Sequence, residues 1–170
     1  MKSRALFISY VILGFFFVHI FWTKFSQLFQ IYYWKPDFNL ILLFIFAQIF
    51  GRRYGLLVGA YLGLLDDFVT SFYGFGMLAK ASVGFIAGHY FRFDEQYNYT
   101  TYVWGILICA LFNNVVYQGL YYYGQQDFFN VIIQYMIPEA MYTVILGVLI
   151  YFILERWISE LYVSRKSGRL

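Results

Sequence analysis

Four glycines recur at a strict four-residue step, Gly51, Gly55, Gly59 and Gly63, inside an otherwise apolar run. Gly84 and Gly88 repeat the step further along the chain. Residues at i and i+4 stack on one helical face, so each set predicts a helix with a ridge bare of side chains. Such a ridge lets another backbone approach closely. In lipid this is a main route to helix association, because burying apolar side chains gains nothing over contact with lipid tails. Glycine is frequent in membrane helices on composition alone, but four in register favour packing, against another helix or a partner. Between the ridges stands the acidic pair Asp66-Asp67, and Lys80 follows two turns into the second helix.

The surrounding chain admits little but a membrane. It has 170 residues, 62% hydrophobic and 12% charged, against about 25% charged in soluble domains. That is too little polar material to coat a water-facing globule. The expectation is one all-α integral membrane domain. Tyrosine and tryptophan favour the headgroup level, so Tyr32-Tyr33-Trp34, Tyr97 with Tyr99 and Tyr102, and Tyr121-Tyr122-Tyr123 mark interfaces. The single cysteine, Cys109, excludes an intrachain disulfide. A net charge of +3 makes no case for nucleic acid.

Six transmembrane helices are predicted, over residues 5–22, 38–50, 54–65, 74–91, 101–121 and 128–154. They form a single domain, residues 1–155, before a basic cytoplasmic tail, residues 156–170. The first run has the basic start of a signal peptide. Its length of about 18 residues and its lack of a small-x-small site predict a retained helix. Residues 23–36 read as an interfacial connection, with a short helix lying flat as one form, and Pro36 and Asp37 open the second helix. The second and third helices are short, about 20 Å for about 13 residues, against about 30 Å of hydrocarbon. Either Gly51-Arg52-Arg53 is a tight turn whose arginines snorkel outward, or the two are half-helices of a re-entrant unit. Residues 66–73 read as a connection. The sixth helix is longer than a span requires, and Pro138 predicts a kink in it.

Counting positive charges sets the orientation. With both termini cytoplasmic, Lys2, Arg4, Arg52, Arg53, Arg92, Arg156, Arg165, Lys166 and Arg169 lie inside, and only Lys24 and Lys35 lie outside. The positive-inside rule prefers this arrangement. It also puts the Asn98-Tyr99-Thr100 sequon on the wrong side for glycosylation.

Ionisable groups at depth are expensive and mark function or registry. Asp66 and Asp67 fall at the outer end of the third helix. Lys80 lies about 9 Å into the fourth, Glu139 about 15 Å into the sixth, and Asn113 and Asn114 about 10–15 Å from the outer end of the fifth. These residues are expected to face one another, with Lys80 paired to Glu139 or to the aspartates. The cluster then lines a cavity or partner groove, or staples helix register. Gln134, Pro138 and Tyr142 share a side of the sixth helix with Glu139. His19 and Gln48 stand alone in apolar runs, and the lone histidine reads as hydrogen-bonded filler rather than a ligand.

Little here points to catalysis. His19 and His89 are the only histidines, with no zinc motif, no nucleophile elbow and no P-loop. Asp66-Asp67 would suit magnesium and a lipid diphosphate only with another acid nearby, and Phe68, Val69, Thr70 and Ser71 follow instead. No metal or cofactor is expected. Two classes are left: a non-enzymatic scaffold whose ridges and polar cluster receive a partner, or a small-molecule transporter or its substrate-binding subunit, which use broken helices and central polar residues.

In order along the chain stand Pro36-Asp37, the Arg52-Arg53-Tyr54-Gly55 opening and the Gly55-Gly59-Gly63-Asp66 run. The Gly74-x-Gly76 turn and the Gly84 and Gly88 step follow. This combination resembles the MreD family of the bacterial rod-shape complex over nearly the whole chain. The resemblance implies a fold similar to the substrate-binding subunits of energy-coupling-factor transporters. It implies no enzymatic activity and location in the cytoplasmic membrane. MreC is the implied direct partner, with RodA, a class B penicillin-binding transpeptidase and MreB reached through the complex. Pro36, Asp37, Gly59, Gly63, Asp66 and Gly74 would hold structural or partner-positioning roles.

Overall fold

The computed structural model describes residues 14, 16–17, 20–21, 23–70, 74–92, 98–121, 130 and 132–166. Among these the protein is all-α, with six helices. Helical residues 23–28, preceded by 14, 16, 17, 20 and 21, are α1. Then come α2 (Phe38–Phe50), α3 (Arg52–Thr70), α4 (Phe75–Tyr90), α5 (Tyr99–Tyr121) and α6 (Ile137–Lys166), the last led by a π-helical segment, Ile132–Met136. Two stretches are long and apolar enough to cross a membrane, Tyr99–Gly119 and Ile132–Glu155. His19, Tyr97, Tyr122, Tyr123, Lys2, Arg4 and Arg169 lie outside the described residues.

The two glycine ridges meet each other. A Cβ on Gly55 would collide with the Gly84 carbonyl, one on Gly59 with the Lys80 carbonyl, and one on Gly63 with the Gly76 carbonyl. A Cβ on Gly88 would run into Gly51 and Arg52. The partners descend one helix as they climb the other, as an antiparallel pair requires. Backbone therefore lies on backbone along the α3–α4 contact, and these ridge glycines are buried within the chain. A partner protein cannot also occupy them. Gly51 departs from the ridge it shares by spacing. It ends α2 at φ 86°, a left-handed conformation that favours glycine, and its own Cβ would meet nothing. Gly74 does the same at φ 100° before α4.

The third helix was expected to stop at Leu65, but α3 runs on to Thr70. Its 19 residues give about 28 Å, so it is no half-helix. The acidic pair sits inside the last turns because both carboxylates find donors there. Of the expected 128–154 span, residues 128–129 and 131 lie outside the described residues; the π-helical segment and α6 cover the rest, and helix continues to Lys166 through residues read as tail. Pro138 stands at the junction from π to α geometry, where its missing N–H leaves the Gln134 carbonyl one turn back without its helical donor. The Trp34 indole Nε1 donates to that carbonyl at 2.8 Å. Residues 23–28 of the expected connection are helical, and Trp34 belongs to the segment after them, which closes on itself through Ile31 and Trp34. Tyr142 Oη on α6 donates to the Phe29 carbonyl at 2.7 Å and fastens the same connection.

The apolar core lies between α2, α4, α5 and α6 around Leu43, Phe44, Val83, Tyr102 and Ile106. Tyr102 is fully buried and donates to the Gly147 carbonyl at 3.0 Å, with its ring 4.2 Å from that of Tyr151. It is thus a core residue joining α5 to α6, where the sequence placed it at an interface. Gln48, alone in an apolar run, is buried.

Candidate functional site

The alternating helices bring α1 and the beginnings or ends of five others to one cavity of about 260 Å³. Its wall includes Ser26 of α1, Asp37 before α2, Asp66 of α3, Lys80 of α4, Asn113 of α5 and Glu139 of α6. Lys80 is the centre of one side. Its side chain is 5% exposed, and Nζ lies 3.0 Å from Asp37 Oδ2 and forms a second ion pair with Asp66. A cation this deep is tolerable only when paired and hydrogen-bonded. The ridge register explains its position. Lys80 stacks its backbone on Gly59, so its side chain leaves α4 between α2 and α3.

Asp37 has three attachments. Its Oδ1 accepts from the Leu40 N–H at 2.9 Å and caps α2. Its carboxylate holds Lys80. Its own N–H donates to Thr143 Oγ1 at 3.1 Å, and that hydroxyl donates to the Glu139 carbonyl at 2.9 Å. One aspartate thereby links α2, α4 and α6.

The adjacent acids do different work. Asp66 faces the cavity and Lys80. Asp67 continues the four-residue step of Gly55, Gly59 and Gly63, so it faces α4 as they do. Its Oδ1 accepts from the Gly76 N–H at 2.8 Å, and its Oδ2 from the N–H groups of Gly74 and Met77, both at 3.0 Å. It is buried and caps the helix that the ridge aligned. Replacing it by Asn substitutes an amide for one carboxylate oxygen and removes a charge that the helix N-terminus favours. Asp67→Asn is expected to cost about 1–2 kcal/mol, read as a lower midpoint in chemical denaturation. An unchanged midpoint would show that the cap is dispensable.

The opposite wall is an amide network. Asn114 Nδ2 donates to the Met136 carbonyl at 3.0 Å, and Gln118 Nε2 donates to Glu139 Oε2 at 2.8 Å. Of the two partners expected for Lys80, Asp66 of the acidic pair holds it and Glu139 does not: Asp37 supplies the second ion pair, and Glu139 accepts from Gln118 instead. Asn113 Nδ2 reaches Asn114 Oδ1 at 3.5 Å, and its buried Oδ1 has no hydrogen-bond partner among the described residues. Tyr117 Oη bridges α5 to α3 at Thr70 Oγ1, 3.1 Å away.

Asp66, Lys80, Asn113, Asn114 and Glu139 thus share one cavity, while Asp67 serves the α4 cap. Asp37, Gln118 and Thr143 join the network unforeseen. Gln118 lies one turn after Asn114, and Thr143 one turn after Glu139, a spacing that signals a shared face. Asp37 was legible as a cap, but not as the partner of a residue in another helix. The acidic pair does not make a paired metal ligand, because both oxygens of Asp67 accept from backbone. Among the described residues no group of three or more His, Cys, Asp or Glu stands ready for a metal ion. No protein-family model, no curated protein and no solved structure matches this chain.

Proposed function

We propose that this chain is a multi-pass protein of the bacterial cytoplasmic membrane, of the MreD type, acting as a non-enzymatic assembly subunit that binds MreC. What carries the reading is a convergence. The residues behind the resemblance (Asp37, the Gly55-Gly59-Gly63-Asp66 run, Gly76, Gly84 and Gly88) build a single α2–α3–α4 unit, joined at Lys80. A scaffold works by holding a fixed shape, and a backbone-on-backbone contact closed by buried ion pairs supplies one. The partner seat lies on outward faces, since the ridges are consumed inside. RodA, the class B transpeptidase and MreB are reached through the complex.

Six crossings with both ends cytoplasmic complete the proposal. Trp104, Ile108, Phe112 and Val115 on α5 are exposed, as are Met141, Ile145, Leu149 and Phe152 on α6. Apolar stripes of this length are a liability in water and ordinary in lipid. With the cavity outward, Lys24 and Lys35 lie at the outer end, and Arg52, Arg53 and Arg92 at the inner end. Single cysteines at Asp66 and Arg92, in a chain lacking Cys109, are expected to label from opposite sides. Labelling from the same side would mean that α4 does not cross.

The functional test is recovery of partners. Tagged protein extracted from membranes is expected to bring down MreC, and its depletion to round up rod-shaped cells. Absence of MreC together with unchanged cell shape would overturn the assignment. The cavity favours a second reading, a substrate-binding subunit of a transporter. On that reading the preparation would bring down an ATPase module instead.

A further inference from the structure

We propose that the segment joining α1 to α2, residues 29–36, is a hinged gate over the cavity, whose middle swings out while both ends stay pinned to α6. The inference goes beyond partner binding. It depends neither on MreC nor on which side of the membrane the cavity faces.

Tyr33, Lys35 and Pro36 of this segment form part of the cavity wall. The ends of the segment are fastened to neighbouring residues of one helix. Tyr142 Oη donates to the Phe29 carbonyl at 2.7 Å, and Thr143 Oγ1 accepts from the Asp37 N–H at 3.1 Å. The second end is further fixed by the burial of Pro36 and by the Asp37–Lys80 ion pair. Between the pins the chain turns back as a tight hairpin. The N–H groups of Ile31 and Trp34 each donate to the other's carbonyl at 3.0 Å. Ile31, Tyr32 and Tyr33 are exposed, so the hairpin has little packing to hold it down. It is latched instead. Trp34 Nε1 donates to the Gln134 carbonyl at 2.8 Å, and the Tyr33 ring stands 6.1 Å from that of Tyr135. Gln134 and Tyr135 both lie in the π-helical segment, Ile132–Met136, a geometry frequent at functional sites.

The latch works against strain. Tyr32 has a positive φ of 56° at the first central position of the hairpin, where glycine is the usual residue. A side chain there costs free energy, and the cost falls on the closed form alone. Strain of this kind persists only where surrounding contacts impose it, and it collects at clamps and switch regions. Pinned ends, a hydrogen-bonded latch and a strained residue between them favour opening in the middle.

The test uses the full chain in nanodiscs, with Cys109→Ala and with Asn113→Cys on the cavity wall. Two rates are read. One is deuterium uptake by the hairpin amides, Ile31 to Trp34. The other is labelling by fluorescein maleimide, a reagent too bulky for a closed cavity of about 260 Å³. Trp34→Phe removes the indole donor and keeps an aromatic ring, and both rates are expected to rise about fivefold. Tyr32→Gly relaxes the closed form, and both rates are expected to fall about threefold. Uptake around Ile106 in α5 is expected to stay the same in both variants. Ordinary loop flexibility predicts the opposite sign for glycine, so faster opening in Tyr32→Gly would overturn the proposal. So would labelling that fails to follow the amide rates, since the segment would then move without admitting anything. Uptake in α5 that rises with Trp34→Phe would also overturn it, by showing a general staple. Should Asn113→Cys not fold, Ser26→Cys on α1 carries the label in the same cavity. Should Trp34→Phe not fold, the contrast between Tyr32→Gly and the native hairpin decides alone.

Discussion

Gly59→Ala is expected to destabilise the protein by about 3 kcal/mol, the upper end for overpacking a well-filled contact. The added methyl would collide with the Lys80 carbonyl and lie 3.1 Å from the Ala81 Cα. Both obstacles are backbone, so no rotamer change relieves them and α3 and α4 must separate. Separation also acts at a distance. Lys80 rides on Gly59, so moving α4 draws Nζ away from Asp66 and loosens the cavity wall. Gly119→Ala is the matched control, because a Cβ there meets nothing within 4 Å. Within a helix that change is neutral or stabilising by up to about 1 kcal/mol. Denaturant unfolding of the two variants reads the difference directly. Equal stabilities would mean that the ridge is not a packing surface. Gly59→Leu, with a longer branch in the same place, is expected to abolish the fold.

Lys80→Met is expected to cost about 3 kcal/mol. Methionine approximates the volume of lysine but leaves Asp37 and Asp66 facing each other without a cation. Breaking a buried pair by removing one partner costs about 3–5 kcal/mol. The lower figure applies because the two aspartate side chains keep 23% and 22% of their exposure at the cavity. The sign of the effect is tested by a second change. Adding Asp66→Asn removes one of the stranded charges, so Lys80→Met/Asp66→Asn is expected to be more stable than Lys80→Met alone. A double variant worse than both singles would show that the aspartates do not depend on Lys80. Because Gly59 and Lys80 share one contact, Gly59→Ala and Lys80→Met together are expected to cost less than their sum.

Much of the fold could be read from local pattern. Apolar runs located α2, α4 and α5 to within two residues, because helix formation answers to hydrophobic periodicity. The step Gly55, Gly59, Gly63 marked a contact face, and small residues in register serve little else in lipid. The errors fell where local signal and tertiary partner disagree. Asp66 and Asp67 look like the end of a helix when no donors are known. With Lys80 beside one and the α4 N-terminus beside the other, helix continues to Thr70. That Trp34, distant in the chain, takes up the Gln134 carbonyl beside Pro138 was not legible in either segment. Tyr102 reads as an interfacial ring, yet its hydroxyl finds Gly147 in the core.

The candidate site was legible as a membership and not as a wiring. Depth counting brought Asp66, Lys80, Asn113, Asn114 and Glu139 to one level, because rise per residue is fixed in a helix. Which acid holds Lys80 depends on how the helices are rotated about their axes, and residue spacing within a helix does not set rotation between helices. Side-chain periodicity, the rise per residue and the bare glycine faces were the sequence's own contribution, since each is a property of a single helix. The pairing of ridge with ridge, the choice of Asp37 over Glu139, and the separate tasks of two neighbouring aspartates belong to the tertiary structure. Each is settled only when two helices come close enough for one backbone to fix the other's register.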